Sequence, residues 1–511
     1  VSVKQVDPND RWTLGTGWAY GTNKVEKTAG TGSILSQSNV VEANKKYKVS
    51  FDVVATAGYI DSVFIGGQSN GTNITATGSY TYIFDTTNVD SLGFNANSSF
   101  AGSVTNISVV EVQGDRPRLS YDITNGVVEK QPHLLLEPSS TNLVTFSEDY
   151  TQSVWTKENI TVTSNAVISP DGTKNASILT DTSTNGQHRI TTSALFSADG
   201  NNRVFSVFVK KGTSRYCAFN HVSAFSSSVN TVIFDFDTAS YVATGTTTYI
   251  DELFTPKHYG NGWYKIAFRS DINSSAYNRL SIGLSNGTSY IDASYAGTGA
   301  TVFVWGGQVE QQSYCTSYIP TAGTTITRAA ETCNNSKPSV NSTEGVLYAE
   351  IARPVNDSVI RSIALSDNSL SDVVLIQYYN NNIGVVVKVG SAAQAVFAVS
   401  NTDLNLNKIA ISWAVNNFKV YVNGSLAGTD TSGSTFSAGI LTTLSFDNGG
   451  GSEDYYGKVK GLAVYNEALS ESQLMQLTGV TASSIYNNFV TRTASFTVEA
   501  LNEVKKVIDN L

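Results

Sequence analysis

The sequence predicts an all-β protein built from serial antiparallel β-sandwiches of the jelly-roll type, with a short C-terminal helix. Apolar side chains recur at every second position in segments such as 47–54 and 203–210, which places one face of each segment in a core. Asn-Gly and Gly-Gly pairs separate these segments, as tight hairpin turns require. Helical periodicity is almost absent before residue 465, which argues against a parallel sheet with crossover helices.

Composition narrows the class of protein. The chain has 511 residues, enough for several domains, and 41% of them are hydrophobic, which is too apolar for a disordered chain. The net charge is −9 and no basic block is present, so we expect no nucleic acid partner. Neither a long apolar run nor a signal-peptide pattern occurs, and we expect no membrane insertion.

Breaks in the alternation predict the domain boundaries. Polar stretches that contain proline interrupt it at 113–118 and 334–339, and a Thr-Gly pair interrupts it at 478–479. The predicted parts are a sandwich over 1–114, a middle module over 115–335, a second sandwich over 336–478 and a helical tail over 479–511.

The tail has a different period from the rest of the chain. Seven residues step alternately by four and three positions, which is the heptad spacing of a coiled coil. They are Val490, Ala494, Thr497, Leu501, Val504, Ile508 and Leu511. Two interpretations stay open: a helix that assembles the chain into a homotrimer, or a helix that packs on its own chain.

The chain has three cysteines, Cys217, Cys315 and Cys333. They are too few for a disulfide framework and lack the spacing of a zinc site. A bridge between Cys315 and Cys333 stays open, because sequence alone does not place their Cα atoms within bridging distance.

Residues 340–478 contain two segments whose sequences resemble a known fold. Segment 409–425 reads IAISWAVNNFKVYVNGS, and segment 457–474 reads GKVKGLAVYNEALSESQL. Both resemble the laminin-G or concanavalin-A-like jelly roll, and the second is similar to its closing strand and short helix. Ser470 and Gln473 have the spacing of a capping box at the start of that helix. The resemblance implies the fold and says little about function, because one fold hosts many functions.

Residues 116–333 resemble a module that recurs in bacteriophage tail and fibre proteins. The motifs that carry this resemblance are RPRLSY at 116–121, LLLEP at 134–138, TNL at 141–143, VWGGQVE at 304–310, TSYIPT at 316–321 and TRAAE at 327–331. Between them lies a jelly roll similar to carbohydrate-binding modules, and residues 12–112 are similar to another. The resemblance implies a virion protein on the tail or capsid surface, synthesised in the host cytoplasm.

The sequence argues against an enzyme, and we expect no catalytic residues. Glycosidases of the concanavalin-like fold place two carboxylates on either side of the scissile bond, typically from an E-x-D-x-x-E strand. The chain contains no E-x-D triplet, and its four histidines occur singly. Adjacent Glu453 and Asp454 would point to opposite faces of an extended strand.

Sugar binding requires an exposed aromatic platform with polar partners. Two tryptophans near the start of the first sandwich, and the loops at 378–382 and 447–456, supply aromatics beside polar groups. The candidate carbohydrate-binding residues are Trp12, Trp18, Tyr378, Tyr379, Asn381, Tyr455 and Tyr456. The other four tryptophans are predicted to pack in cores.

The loop at 447–454 also suggests a metal site. Asp447, Asn448, Glu453 and Asp454 supply the hard oxygen ligands that calcium prefers. The alternative is a solvated glycine-rich turn. Calcium is the one cofactor that the sequence suggests.

These observations favour a phage tail fibre or virion adhesin that holds host cell-surface polysaccharide through lectin-like surfaces and contacts other virion proteins. Trimerisation would sum weak sugar contacts through multivalency. Two alternatives stay open: a capsid or tail decoration protein with mainly structural contacts, and a polysaccharide depolymerase.

Overall fold

The computed structural model describes residues 12–112, 118–197, 199–222, 231–242, 250–270, 278–287, 294–333 and 336–479. Over these residues strands dominate and one short helix occurs, which confirms the predicted all-β class. The heptad segment 490–511 lies outside the described residues, so both interpretations of the tail stay predictions. No helix of the described part is long and apolar enough to cross a membrane.

Two compact units divide the described residues. The first lies within Val1–Asp115, Ile123–Val128 and Ser139–Ala330, and the second within Arg116–Asp122, Glu129–Pro138 and Glu331–Leu511. The predicted boundaries place 116–122 and 129–138 in the middle module, whereas the structure places these two segments in the C-terminal unit. The physical reason is strand pairing, because both segments supply strands to the C-terminal sheet.

The N-terminal sandwich consists of two five-stranded sheets, with strand orders β1-β4-β9-β6-β7 and β2-β3-β10-β5-β8. Its described strands are β1 (Thr13–Leu14), β2 (Trp18–Gly21), β3 (Lys24–Lys27), β4 (Ser33–Gln37), β5 (Lys46–Ala57), β6 (Ile60–Ile65), β7 (Gln68–Ser69), β8 (Gly78–Asp85), β9 (Leu92–Ala96) and β10 (Ala101–Val112). The alternating apolar residues of both sheets meet in one core around Phe51 and Phe94, whose rings contact edge to face at 4.9 Å.

Four short strands follow: β11 (Arg118–Ser120), β12 (Ile123–Thr124), β13 (Val127–Val128) and β14 (His133–Leu136). The hairpin of β12 and β13 belongs to the first unit, and β11 and β14 belong to the second. The LLLEP motif therefore contributes its leucines to β14, at one side of the C-terminal sheet.

The middle sandwich has two six-stranded sheets, in the orders β16-β20-β27-β22-β23-β24 and β17-β18-β29-β21-β26-β25. The strands of this region are β15 (Ser140–Asn142), β16 (Trp155–Glu158), β17 (Ile160–Val167), β18 (Ala176–Asp181), β19 (Asn185–Gly186), β20 (Arg189–Thr192), β21 (Arg203–Lys211), β22 (Tyr216–Val222), β23 (Thr231–Asp235), β24 (Ser240–Val242), β25 (Ile250–His258), β26 (Trp263–Ser270), β27 (Arg279–Ser285), β28 (Tyr295–Ala296), β29 (Thr301–Glu310) and β30 (Ile326–Arg328). Strands β15 and β30 pair through Thr141 and Thr327, which brings the TNL and TRAAE motifs together.

The C-terminal sandwich combines a seven-stranded sheet, β11-β14-β40-β31-β36-β37-β38, with a five-stranded sheet, β35-β34-β33-β32-β39. Its further elements are β31 (Gly345–Ala352), β32 (Arg361–Ser366), β33 (Val373–Tyr379), β34 (Asn382–Val389), β35 (Ala392–Ser400), β36 (Asn407–Ala414), β37 (Asn417–Val422), β38 (Ser425–Asp430), β39 (Thr443–Ser445), β40 (Gly457–Tyr465) and α1 (Glu471–Thr478). Leu474 of α1 packs on Val346 and Tyr421 of the larger sheet.

The start of α1 confirms the predicted capping box. The Ser470 side chain accepts a hydrogen bond from the backbone N–H of Gln473, and the Gln473 side chain accepts one from the backbone of Ser470 at 2.9 Å. These two bonds satisfy donors that the first turn leaves unpaired.

All three cysteines are free thiols, so no bridge joins Cys315 and Cys333. Cys217 lies in the core of the middle sandwich, where burial raises the pKa of its thiol to about 12. This thiol is therefore an inert packing group.

Candidate binding cleft

The N-terminal sandwich contains an open cleft of about 500 Å³. Strands β2, β3 and β10 of one sheet line it together with β4 and β9 of the other. The lining residues are Trp12, Tyr20, Gly21, Asn23, Lys24, Val25, Gln37, Val40, Leu92, Val104, Thr105, Asn106, Ile107 and Val109. This volume lies in the range of about 300 to 1,000 Å³ that is typical of small-ligand sites.

Two aromatic side chains of the cleft are held in place by separate contacts, one to a backbone carbonyl and one to a core ring. The Tyr20 hydroxyl donates a hydrogen bond to the Trp12 carbonyl at 3.2 Å. Trp12 is half-buried, with its ring centroid 6.3 Å from that of Phe94 in the core. One side of Trp12 therefore packs on the sandwich while the residue lines the cleft.

The polar lining consists mainly of amide side chains. Asn23 lies in the turn between β2 and β3 with a φ of 57°, a left-handed conformation that asparagine tolerates well. Asn106 has a φ of 51° at the register shift of β10 against β5, and its Nδ2 donates to Asp52 Oδ2 at 2.6 Å. This β-bulge turns residues 105–107 towards the cleft.

The charge of the lining is small. Lys24 supplies an ammonium group, which contacts Glu26 of the same strand. Among the residues that the structure describes, the lining includes neither Asp nor Glu. The described lining thus offers aromatic faces, amides and one cation, a set that can hold a neutral polyol.

Three of the predicted sugar-contacting aromatics lie in cores, and their prediction as exposed platforms is wrong. Trp18 is 6% exposed and its Nε1 donates to the Ser33 carbonyl at 3.3 Å. Tyr378 and Tyr455 are each 1% exposed. The Tyr378 hydroxyl donates to the Ile351 carbonyl at 3.0 Å, and the Tyr455 hydroxyl lies 3.0 Å from the carbonyl of Ala352.

The remaining candidates of the C-terminal sandwich are accessible but do not line the cleft. The ring of Tyr379 packs on Gly384, so closely that a Cβ atom at residue 384 would collide with it. Asn381 is exposed and accepts a hydrogen bond from the Asn356 side chain at 2.7 Å. Tyr456 donates to Asp454 at 3.2 Å, and burial together with this carboxylate raises the pKa of Tyr456 to about 12.

In the loop predicted as a calcium site, the polar side chains have hydrogen-bond partners within the protein. Asp447 is buried, and its Oδ1 accepts from Ser445 Oγ at 2.7 Å and from Gly449 N at 2.6 Å. Asn448 Oδ1 accepts from Gly450 N at 2.9 Å, and the backbone carbonyl of Glu453 accepts from Ser362 N. Across the described ranges, no group of three or more His, Cys, Asp or Glu side chains is placed to hold a metal ion. Asp447 and Asn448 thus bind turn backbones, whereas the carboxylates of Glu453 and Asp454 accept from the hydroxyls of Ser362 and Tyr456.

Sequence reasoning identified Trp12 and missed Tyr20, Gln37 and Asn106. Tyr20 had a usable signal, because it lies two positions after Trp18 and therefore points to the same side of β2. Gln37 and Asn106 had none, since a strand end and a bulge bring them to the cleft.

No curated protein matches the chain in sequence. Residues 351–475 match the family model of the concanavalin A-like lectin/glucanases superfamily. The C-terminal sandwich, with its two sheets and the helix α1, is accordingly a domain of the concanavalin-A-like, laminin-G-like jelly-roll fold, which is compatible with carbohydrate binding.

Proposed function

We propose that the protein is a non-catalytic virion adhesin, from a phage tail fibre, that binds glycans of the host cell surface. The observation that carries the proposal is the cleft of the N-terminal sandwich, where Trp12 and Tyr20 lie beside three amide side chains. The phage assignment rests on the motifs of residues 116–331, which resemble phage tail modules.

The chemistry of the cleft suits a sugar ring. A pyranose has an apolar C–H face, which stacks on Trp12 or Tyr20, and a rim of hydroxyls, which hydrogen-bond to Asn23, Gln37 and Asn106. The hydrogen bond to the Trp12 backbone holds the Tyr20 ring, and packing on Phe94 holds the Trp12 ring before the ligand arrives, which reduces the entropy lost on binding.

Two features support binding without cleavage. Glycoside hydrolysis needs two carboxyl groups on either side of the scissile bond, and no Asp or Glu is among the lining residues that the structure describes. The C-terminal jelly roll matches a superfamily of both binders and glycosidases, and the carboxylates of its acidic loop accept hydrogen bonds from the protein itself. A second, weaker sugar contact through this domain would add avidity.

Multivalency is the second part of the proposal. Residues 490–511 carry the heptad pattern of a trimerising helix, and three clefts on one particle would raise avidity by about 10² to 10⁴. The mass in solution of the full chain and of a chain ending at residue 479 tests the trimer. A monomeric full chain would contradict it.

Binding of purified protein to host envelope fractions and to a glycan array tests the adhesin. We expect Trp12→Ala to lose binding by about tenfold or more, equivalent to about 1.4 kcal/mol. Tyr379→Ala, which removes an accessible aromatic outside the cleft, is the matched control and should bind as the wild type does. Equal binding by wild type and Trp12→Ala would refute the cleft as the site. Release of reducing ends from the bound polysaccharide would instead support the depolymerase.

A further inference from the structure

A buried lysine meets two carboxylates inside the first unit. Lys48 Nζ lies 2.8 Å from Asp171 Oδ2, and 2.9 and 3.1 Å from the two carboxylate oxygens of Glu148. The three side chains are 5%, 18% and 8% exposed, respectively. Lys48 belongs to β5 of the N-terminal sandwich, whereas Glu148 and Asp171 lie in loops of the middle sandwich.

Neighbouring groups hold both carboxylates in fixed orientations. Asp171 Oδ1 accepts hydrogen bonds from Ser169 Oγ at 2.6 Å and from Thr173 N at 2.8 Å, which leaves Oδ2 facing the amine. Glu148 accepts from Asn175 Nδ2 at 2.8 Å and from the Tyr318 hydroxyl at 3.0 Å. The triad is therefore a preorganised site.

We propose that Lys48 and Asp171 join in an intramolecular amide (isopeptide) bond, with Glu148 as the proton relay. A proton first moves from the Lys48 ammonium to Asp171 Oδ2, which lies 2.8 Å away. The neutral amine then attacks Asp171 Cγ, Glu148 carries a proton from the nitrogen to the departing oxygen, and the Cγ–O bond breaks. One N–C bond forms, one water molecule leaves, and no oxidant or reductant is needed.

Two physical effects favour this reaction. The reacting groups are held in contact, and such proximity corresponds to effective concentrations of about 10⁵ M or more. Burial pushes the pKa of Lys48 down, and the two carboxylates outweigh burial and raise it, so the charged triad is the state before reaction. Amide formation then replaces the buried ion pair of Lys48 and Asp171 by a neutral amide, while Glu148 keeps its hydrogen bonds from Asn175 and Tyr318.

The surroundings resemble a shielded reaction site more than a surface ion pair. The Trp305 ring centroid lies 5.8 Å from Lys48 Nζ, and Trp305 is itself 3% exposed. Bulk water is therefore largely kept from the amine and from the product amide. The bond would join the two sandwiches of the first unit covalently, which suits a protein that carries load between a virion and a cell.

Intact mass under denaturing conditions, after prolonged incubation of the folded protein, tests the bond. We expect the wild type to be lighter than its sequence mass by one water molecule, and a protease digest to contain a branched peptide that links Lys48 to Asp171. Lys48→Arg and Asp171→Ala should have full mass, and Glu148→Gln should keep the full mass although both reacting groups are present.

A matched control lies two residues away on the same strand. Lys46 contacts Asp85 with side chains 33% and 71% exposed, and we expect no branched peptide from that pair. Circular dichroism confirms that each variant is folded. Folded wild-type protein at full mass would overturn the bond and leave an ion pair, and water loss by Glu148→Gln would overturn the role of Glu148.

Discussion

Arg118 and Glu331, which are 213 residues apart in the sequence, form an ion pair in the C-terminal unit with an Nε–Oε1 distance of 2.5 Å. Arg118 also contacts Glu137, whose backbone N–H donates to Glu331 Oε2 at 2.7 Å. The Glu331 side chain is fully buried. Residues of the RPRLSY, LLLEP and TRAAE motifs therefore converge in one charged cluster, which ties β11 and β14 to the following chain.

The first prediction concerns this cluster. Glu331→Ala leaves the Arg118 guanidinium and the Glu137 N–H with one acceptor fewer, and we expect it to destabilise the C-terminal unit by about 3 kcal/mol. The denaturant midpoint of that unit measures the loss. Glu471→Ala is the control, because Glu471 is 62% exposed in its pair with Lys419 and should cost less than about 1 kcal/mol. Equal effects of the two substitutions would argue against the cluster as a stabilising element.

The second prediction separates binding from stability in the N-terminal sandwich. Trp18→Ala opens a cavity in the core and should lower the free energy of unfolding by about 3 to 5 kcal/mol. Trp12→Ala removes a half-buried ring and should lower it by a smaller amount while abolishing sugar binding. Thermal denaturation and glycan binding of both variants check this. A Trp18→Ala protein as stable as the wild type would contradict its placement in the core.

The third prediction is a pH dependence that originates at His221. Burial lowers the pKa of His221 to about 4, and its neutral ring is bonded to Ser270 Oγ at 2.9 Å and to Asn278 Oδ1 at 3.0 Å. The ordinary pKa is about 6.5, so between these values the unfolded chain binds a proton that the folded chain does not. Stability should therefore fall as the pH decreases through this window, by at most about 1.4 kcal/mol per pH unit.

The His221→Gln variant tests this origin. Denaturant unfolding between pH 7 and pH 4 should show that the free energy of unfolding falls less steeply for the variant than for the wild type. This holds even if the two proteins differ in stability at pH 7. Parallel curves would show that other groups produce the dependence.

The fourth prediction concerns calcium. Since the Asp447 and Asn448 side chains already accept hydrogen bonds from their own turn, we expect the melting temperature to be the same in calcium and in a chelator. A bound cation would raise the melting temperature in proportion to the logarithm of its concentration. A rise that Asp447→Asn abolishes would contradict this expectation and restore the loop as a metal site.

Local patterns predicted much of the fold. The alternation over 47–54 and 203–210 predicted strands that the structure contains as β5 and β21. The spacing of Ser470 and Gln473 predicted the capping box of α1. Each of these features depends on residues within one turn or one strand, so the chain carries the information locally.

The candidate site was less predictable. Tyr378 and Asn381 are neighbours in the sequence, yet the first points into the core from β33 and the second is exposed in the turn after it. Polar neighbours in the sequence suggested that both side chains are exposed. Whether a strand residue faces the core or the solvent, however, depends on the residue at which its hairpin turn begins. If the turn begins one residue earlier or later, every side chain of the strand moves from the core face to the solvent face, or the reverse.

Composition, alternation and capping residues were enough to establish the all-β class, the serial sandwiches and the short helix, because these follow from interactions between near neighbours in the chain. Three features depended on the tertiary structure. They are the cleft that groups Trp12, Tyr20 and Asn106, the contact of Lys48 with Asp171, and the pairing of β11 and β14 with the C-terminal sheet. Each joins segments that are far apart in the sequence, and pairing over such distances is governed by the packing of whole sheets rather than by any local pattern.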